Sequence, residues 1–177
     1  MKHFLIVVDM QKDFVDGALG TPEAQAIVAR VTDKIRTFEG NIIVTYDTHT
    51  ENYMNTNEGS HLPVPHCIKD SEGWQLDARV ATALATRRYA SVEKPTFGSV
   101  FLPRMIRDMA EDAPFTVELI GLCTDICVVS NALLLKAHFP ESEIFVDAAC
   151  CAGVSPETHR AALETMRCCQ IQIKNAQ

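Results

Sequence analysis

The sequence predicts an α/β fold, a three-layer α/β/α sandwich around a mainly parallel six-stranded sheet. Three observations predict it. Short, continuously apolar, β-branched runs recur along the chain, and amphipathic stretches at helical spacing separate them. No Gly/Ser-rich, Pro-rich or single-sign linker divides the 177 residues into two apolar halves. Strands that are apolar on both faces must be covered on both, which places helices above and below the sheet. A hydrophobic content of 47% is ample for one core, so a single domain over residues 1–177 is predicted.

The elements follow in order. The strand candidates are "HFLIVVD" (3–9), "NIIVTYD" (41–47), "YASVEK" (89–94), "TVELIGL" (116–122), "EIFVDAA" (143–149) and "QIQIK" (170–174). Between the first two, Thr21 and Pro22 make a cap and first turn. Ala24, Ile27, Val28, Val31, Ile35 and Phe38 then recur at helical spacing until Gly40 ends the helix. This is one βαβ unit. Residues 75–87 and 99–110 are predicted as further helices, the second starting or kinking at Pro103. A helix is expected from about Thr124 onward, and Ser155 followed by Pro156 opens a last one running to about Cys168.

Charge and cysteine usage narrow the function. A net charge of -7 argues against nucleic acid or an anionic membrane surface, since both need clustered Lys and Arg to displace counterions. A small-molecule or protein partner is favoured. The apolar run near the N-terminus ends at Asp9, too short to span a bilayer and without a small-residue cleavage site. The seven cysteines include two adjacent pairs and follow neither a disulfide framework nor CxxC zinc spacing, so reduced thiols in a cytoplasm are expected.

In an open parallel sheet the ligand crevice lies outside the carboxyl ends of the strands. The polar residues at those ends are Asp9, Asp47 with His49, Lys94, the Cys123–Cys127 turn and Asp147. Thr124 as N-cap would put Cys127 in a first helical turn, where free N–H groups and the helix dipole favour a thiolate and could hold an oxyanion. The plainer alternative is a buried small hydrophobe. An oxidisable or metal-binding pair of Cys123 with Cys127 is a third reading, although the CxxxC spacing suits neither the thioredoxin turn nor a zinc knuckle. Asp9 could instead cap the following turn, and Lys94 could lie on a solvated face. If the three converge, they make a nucleophile, a base and a cation in one crevice.

The segment 47–75 is too long for an idle connection and carries three of the chain's six histidines. Asp47, His49, Glu58, His61 and His66 fall within it, and a mixed N/O set of this kind suits zinc, iron or manganese. A polar surface loop with unrelated histidines is the alternative.

Together, "VVDMQKDF", "YDTHTEN...E...PHC", "EKPTFGS" and "GLCTDICV" resemble, in order and over nearly the whole chain, the motifs of the isochorismatase-like cysteine hydrolases, and within them the nicotinamidases. The resemblance implies a Rossmann-like fold with a catalytic triad of Cys127 as nucleophile, Asp9 as general base and Lys94. It implies an oxyanion hole from the N–H groups of Cys123 and Cys127, and a cis peptide at Leu122–Cys123. It further implies a divalent metal, zinc first with iron or manganese as alternatives, on Asp47, His49, His66 and Glu58, and a ring pocket lined by Phe14 and Phe97. The implied reaction is hydrolysis of nicotinamide, or of another small amide, in a cytoplasmic homo-oligomer serving NAD salvage. The metal loop departs from the nicotinamidase pattern in having Leu62, Pro63 and Val64 where an aromatic residue is usual, and Trp74 is the candidate to replace that stacking partner.

Overall fold

The centre of the fold is β1 (Lys2–Val8), whose residues from Phe4 on are fully buried. The computed structural model describes residues 1–176. After β1 come a short α1 (Lys12–Val15), α2 (Pro22–Thr37) and β2 (Asn41–Asp47). The long connection that follows holds a 3-10 turn (Tyr53–Asn55) and α3 (Asn57–His61), then α4 (Ala78–Leu84) leads to β3 (Tyr89–Lys94). The second half runs α5 (Leu102–Ala110), β4 (Phe115–Leu122), a π turn (Thr124–Val128), α6 (Val129–His138), β5 (Glu143–Ala152), α7 (Pro156–Cys168) and β6 (Gln172–Lys174).

The six strands form one sheet in the order β3-β2-β1-β4-β5-β6, with every pairing parallel. The alternation along β1 divides the core: Phe4, Ile6 and Val8 face α5, α6 and α7, whereas Leu5 and Val7 face α2 and α4. The chain winds outward in both directions from β1 and β4, so the ends of these two strands flank the topological switch point where crevices form. Gly121 makes their close approach there feasible, since it takes φ 115° and a Cβ on it would collide with Val8 O.

Several boundaries differ from the sequence expectation for local reasons. The helix expected over 75–87 starts at Ala78, because the Asp77 carboxylate accepts from Arg79 N and Val80 N and caps it. The helix expected from 99 starts at Leu102, with Pro103 in its first turn. The last strand is limited to Gln172–Lys174, since Gln170 takes φ 65° and Ile171 N bonds back to Met166 O, finishing α7 instead. The strand expected over 143–149 extends to Ala152. Among the described residues, no helix is long and apolar enough to cross a membrane.

Candidate active site

Four strand ends meet at the crevice. Asp9 follows β1, Asp47 ends β2, Lys94 ends β3 and Cys127 lies in the π turn after β4. Parallel strands deliver their carboxyl ends to one edge of the sheet, which is why residues 118 positions apart become neighbours. Lys94 is the hub: its Nζ lies 2.6 Å from Asp9 Oδ2, 3.2 Å from Asp47 Oδ1 and 3.4 Å from Cys127 Sγ, and it donates to Thr96 O at 3.1 Å. Asp9 Oδ2 pairs with the ammonium, while its Oδ1 accepts from Thr45 Oγ1 at 2.5 Å. Asp9 and Lys94 are fully buried, so Lys94 does not lie on a solvated face.

Burial governs the protonation of this group. It works against the charge on Lys94, but the surrounding Asp9, Cys127 and Asp47 more than reverse it and hold the ammonium above its ordinary range. For Asp9, burial pushes the carboxyl up further than Lys94 pulls it down. Burial, then the Asp9 charge, push the Cys127 thiol well above its ordinary value, with Lys94 opposing. Sequence reasoning expected a thiolate favoured by a helix N-terminus. Burial and the neighbouring Asp9 carboxylate instead favour the neutral thiol. The Thr124 cap is corrected with it: Thr124 is already inside the turn, and its Oγ1 pairs with His159 Nδ1 at 2.8 Å while Cys123 O accepts from Ile126 N and Val128 N.

Cys123 and Cys127 pack against different parts of the core. Cys127 belongs to the core under α5 and α6, and Cys123 packs against the core under α2. Both thiols are free, and burial pushes that of Cys123 up to about 12. The peptide between Leu122 and Cys123 is cis.

Beside Asp9, Lys94 and Cys127, the side chains of Asp47, His49, Glu58 and His66 bring four potential ligand atoms within 4.8 Å of one another. His49 Nε2 lies 3.0 Å from Asp47 Oδ2 and 3.6 Å from Glu58 Oε1, and His66 Nε2 lies 3.6 Å and 3.8 Å from the same two oxygens. His66 Nδ1 sits 2.8 Å from Val64 O, and a carbonyl only accepts, so Nδ1 carries a hydrogen and Nε2 is the nitrogen turned to the cluster. Two imidazoles and two carboxylates around one point fit a divalent ion such as zinc. Burial raises the Asp47 carboxyl, but hydrogen bonds to His49 and His66 and the charge of Lys94 more than reverse this, leaving it well below the usual carboxylate range. His61, by contrast, is exposed and bonds back to Asn57 O on its own helix.

A cavity of about 230 Å³ opens between the donor cluster and the sulfur. Phe14, Leu62, Phe97 and Ile126 supply apolar wall, and Asp47, Glu58, His66, Cys123 and Cys127 also face it. Trp74 is not on this wall. It stacks on Tyr46 at 5.2 Å and donates Nε1–H to Thr48 Oγ1 at 2.9 Å, so it does not replace the missing aromatic of the metal loop. Two polar residues escaped sequence reasoning. Thr45 binds both the amide and the carboxylate of Asp9, and Asp13 accepts from Cys67 N at 2.8 Å, next to His66. Thr45 sits inside an otherwise apolar strand, and that break was the available signal.

The model of the isochorismatase domain family matches residues 3–177. The chain belongs to this family. Its isochorismatase domain is 26% identical over 184 aligned positions to the nicotinamidase/pyrazinamidase of Mycobacterium tuberculosis (strain ATCC 25618 / H37Rv), covering 96% of each chain. Among solved structures, nicotinamidase/pyrazinamidase from Bacillus subtilis superposes with a TM-score of 0.85 at 25% identity, covering 99% of this chain and 100% of that one. Pyrazinamidase of Pyrococcus horikoshii, in complex with zinc, superposes at 0.79 with 28% identity and 98% coverage of both chains. The fold is therefore the isochorismatase-like α/β fold predicted above.

Proposed function

We propose that this isochorismatase-family protein, read as one hydrolase domain, is a nicotinamidase that hydrolyses nicotinamide to nicotinate and ammonia. The observation that carries the reading is Lys94 within 3.4 Å of Asp9, Asp47 and Cys127 at once, beside a cavity lined by Cys127 and by three of the four metal-donor side chains, Asp47, Glu58 and His66. The nicotinamidase and pyrazinamidase relatives support the choice of a carboxamide on an aromatic nitrogen ring.

In this mechanism the resting site holds a neutral Cys127 thiol over the Asp9–Lys94 ion pair. As the sulfur attacks the carboxamide carbon, its proton passes to Asp9, whose raised proton affinity suits a general base. The oxyanion of the tetrahedral intermediate faces the N–H groups of Cys123 and Cys127, and Lys94 stabilises the developing charge at sulfur. The C–N bond breaks as Asp9 returns the proton to the leaving nitrogen, which departs as ammonia and leaves a thioester. Water then adds to the thioester with Asp9 again taking a proton. The C–S bond breaks, nicotinate leaves and the thiol is restored. Asp47, His49, Glu58 and His66 would hold a divalent ion, zinc by analogy with the Pyrococcus relative, which when bound supplies a Lewis-acidic position for the ring nitrogen. Phe14 and Phe97, which line the cavity, would flank the ring. The product feeds NAD salvage, and the protein works in the cytoplasm as a homo-oligomer.

Ammonia release from nicotinamide, compared with pyrazinamide and a few aliphatic amides, tests this reading. Preference for the two ring amides is expected, as is loss of all turnover in Cys127→Ala with metal content unchanged. Turnover that survives Cys127→Ala would sink the assignment.

A further inference from the structure

β1 stops at Val8, which pairs with Thr45 of β2. Asp9 then takes φ 46° and turns the backbone out of the sheet. Two residues beyond Thr45, Asp47 would be left with no ladder partner on that side. The side chain of Gln11 occupies the place. Its Oε1 accepts from Asp47 N at 2.7 Å, and its Nε2 donates to Asp47 O at 2.8 Å and to Trp74 O at 2.9 Å. A primary amide has one carbonyl and two N–H bonds, and here each is used. The pair of bonds to Asp47 imitates what a strand residue would give. Gln11 is fully buried, and it lies off the cavity wall.

Asp47 is the residue on which the site's two halves depend, since Oδ1 faces Lys94 and Oδ2 faces His49 and His66. We propose that Gln11 is a positioning residue: its amide fixes the backbone of Asp47 and so sets both oxygens, one toward the lysine and one toward the donor cluster. The inference rests on the hydrolase reading of the site for its functional meaning. Its physical content is that one buried amide controls two separable properties, metal affinity and the environment of the Cys127 sulfur. A glutamine serving only to fill the core would control neither.

The test compares wild type with Gln11→Met, which keeps the length and removes all three hydrogen bonds. Two quantities are read on folded protein: zinc affinity by competition with a chelating indicator, and the rate of iodoacetamide alkylation at the Cys127 peptide by mass spectrometry. The expected result is zinc binding weakened by about tenfold or more, the scale seen when a ligand's supporting hydrogen bond is lost, together with faster alkylation, as Lys94 loses a fixed counter-ion and acts more strongly on the Cys127 sulfur. Wild-type values for both in a folded variant, whatever its melting temperature, overturn the proposal, and so does a change in only one. Should Gln11→Met not fold, Gln11→Glu asks the same question, because its carboxylate still accepts from Asp47 N but faces two carbonyls without a proton. A wild-type protein that releases ammonia from no amide would overturn the nicotinamidase reading, while the two measurements would still decide the role of Gln11.

Discussion

Lys94 Nζ lies 3.2 Å from Asp47 Oδ1, while the other oxygen of that carboxylate lies 3.0 Å from His49 Nε2. One carboxylate thus joins the ammonium at the sulfur to the imidazoles of the donor cluster. Perturbing either side moves charge on the other, and the following expectations use that coupling.

Removing the cation should be costly to the fold as well as to turnover. In Lys94→Met, the buried Asp9 and Asp47 carboxylates face each other with no positive charge between them. Breaking a buried pair in this way costs about 3–5 kcal/mol. Urea unfolding at neutral pH should show a loss on that scale, and ammonia release should fall to background.

Asp9→Asn separates reactivity from catalysis. The Asp9 charge raises the thiol of Cys127, whereas Lys94 lowers it. Removing the carboxylate leaves Lys94 acting on the sulfur, so iodoacetamide should alkylate Cys127 faster than in wild type. Amide hydrolysis should nonetheless drop by on the order of 10²–10⁴-fold, the usual contribution of a general base. Slower alkylation in Asp9→Asn would contradict the electrostatic account.

His66→Ala removes one of four donors and leaves the sulfur, Asp9 and Lys94 in place. Metal content after dialysis should fall, with affinity weakened by at least about 10–100-fold. KM for nicotinamide should rise more than kcat falls, because the change acts on ring orientation. Chelation of the wild-type protein should reproduce the KM effect, and added zinc should reverse it.

Away from the crevice, Lys34 reaches Asp147 Oδ2 at 2.8 Å and Glu118 Oε1 at 2.6 Å, under α2. Burial raises the Asp147 carboxyl, but the bonds from Lys34 and Asn175 more than reverse this, so it is held below its ordinary value. A depressed carboxyl contributes stability that is present above the unfolded value, about 3.9, and is lost as pH falls through the folded one. Asp147→Asn should therefore cost roughly 1.5–3 kcal/mol at pH 7, the worth of hydrogen bonds to a charged group, and make the decline of the urea midpoint below pH 4 shallower. An unchanged acid limb would exclude Asp147 from that role.

Periodicity and chain order alone determined the alternation of strands and helices, the βαβ start, the positions of β2, β3 and α7, and Asp9, Asp47 and Lys94 at strand ends; Asp147, expected at such an end, lies inside β5 because that strand continues to Ala152. These are local properties: an apolar β-branched run, a Thr-Pro or Ser-Pro start and a break at a polar residue act within a few positions of themselves. The motif resemblance added the roles proposed for Asp9, Lys94 and Cys127 and the donor set proposed for a metal. Only the tertiary structure decided that Lys94 is fully buried, that the Cys127 thiol is raised rather than lowered, that Thr124 pairs with His159, and that Trp74 turns away to Tyr46. Each of these depends on what a distant strand or helix brings alongside. The same holds for Gln11, an unremarkable polar residue in "DMQKDF" until β1 ends two positions short of Asp47 and leaves a gap that its amide fills. Spacing along a chain shows where a side chain leaves the backbone; desolvation, counter-ions and missing ladder partners arise only when separate segments close around it.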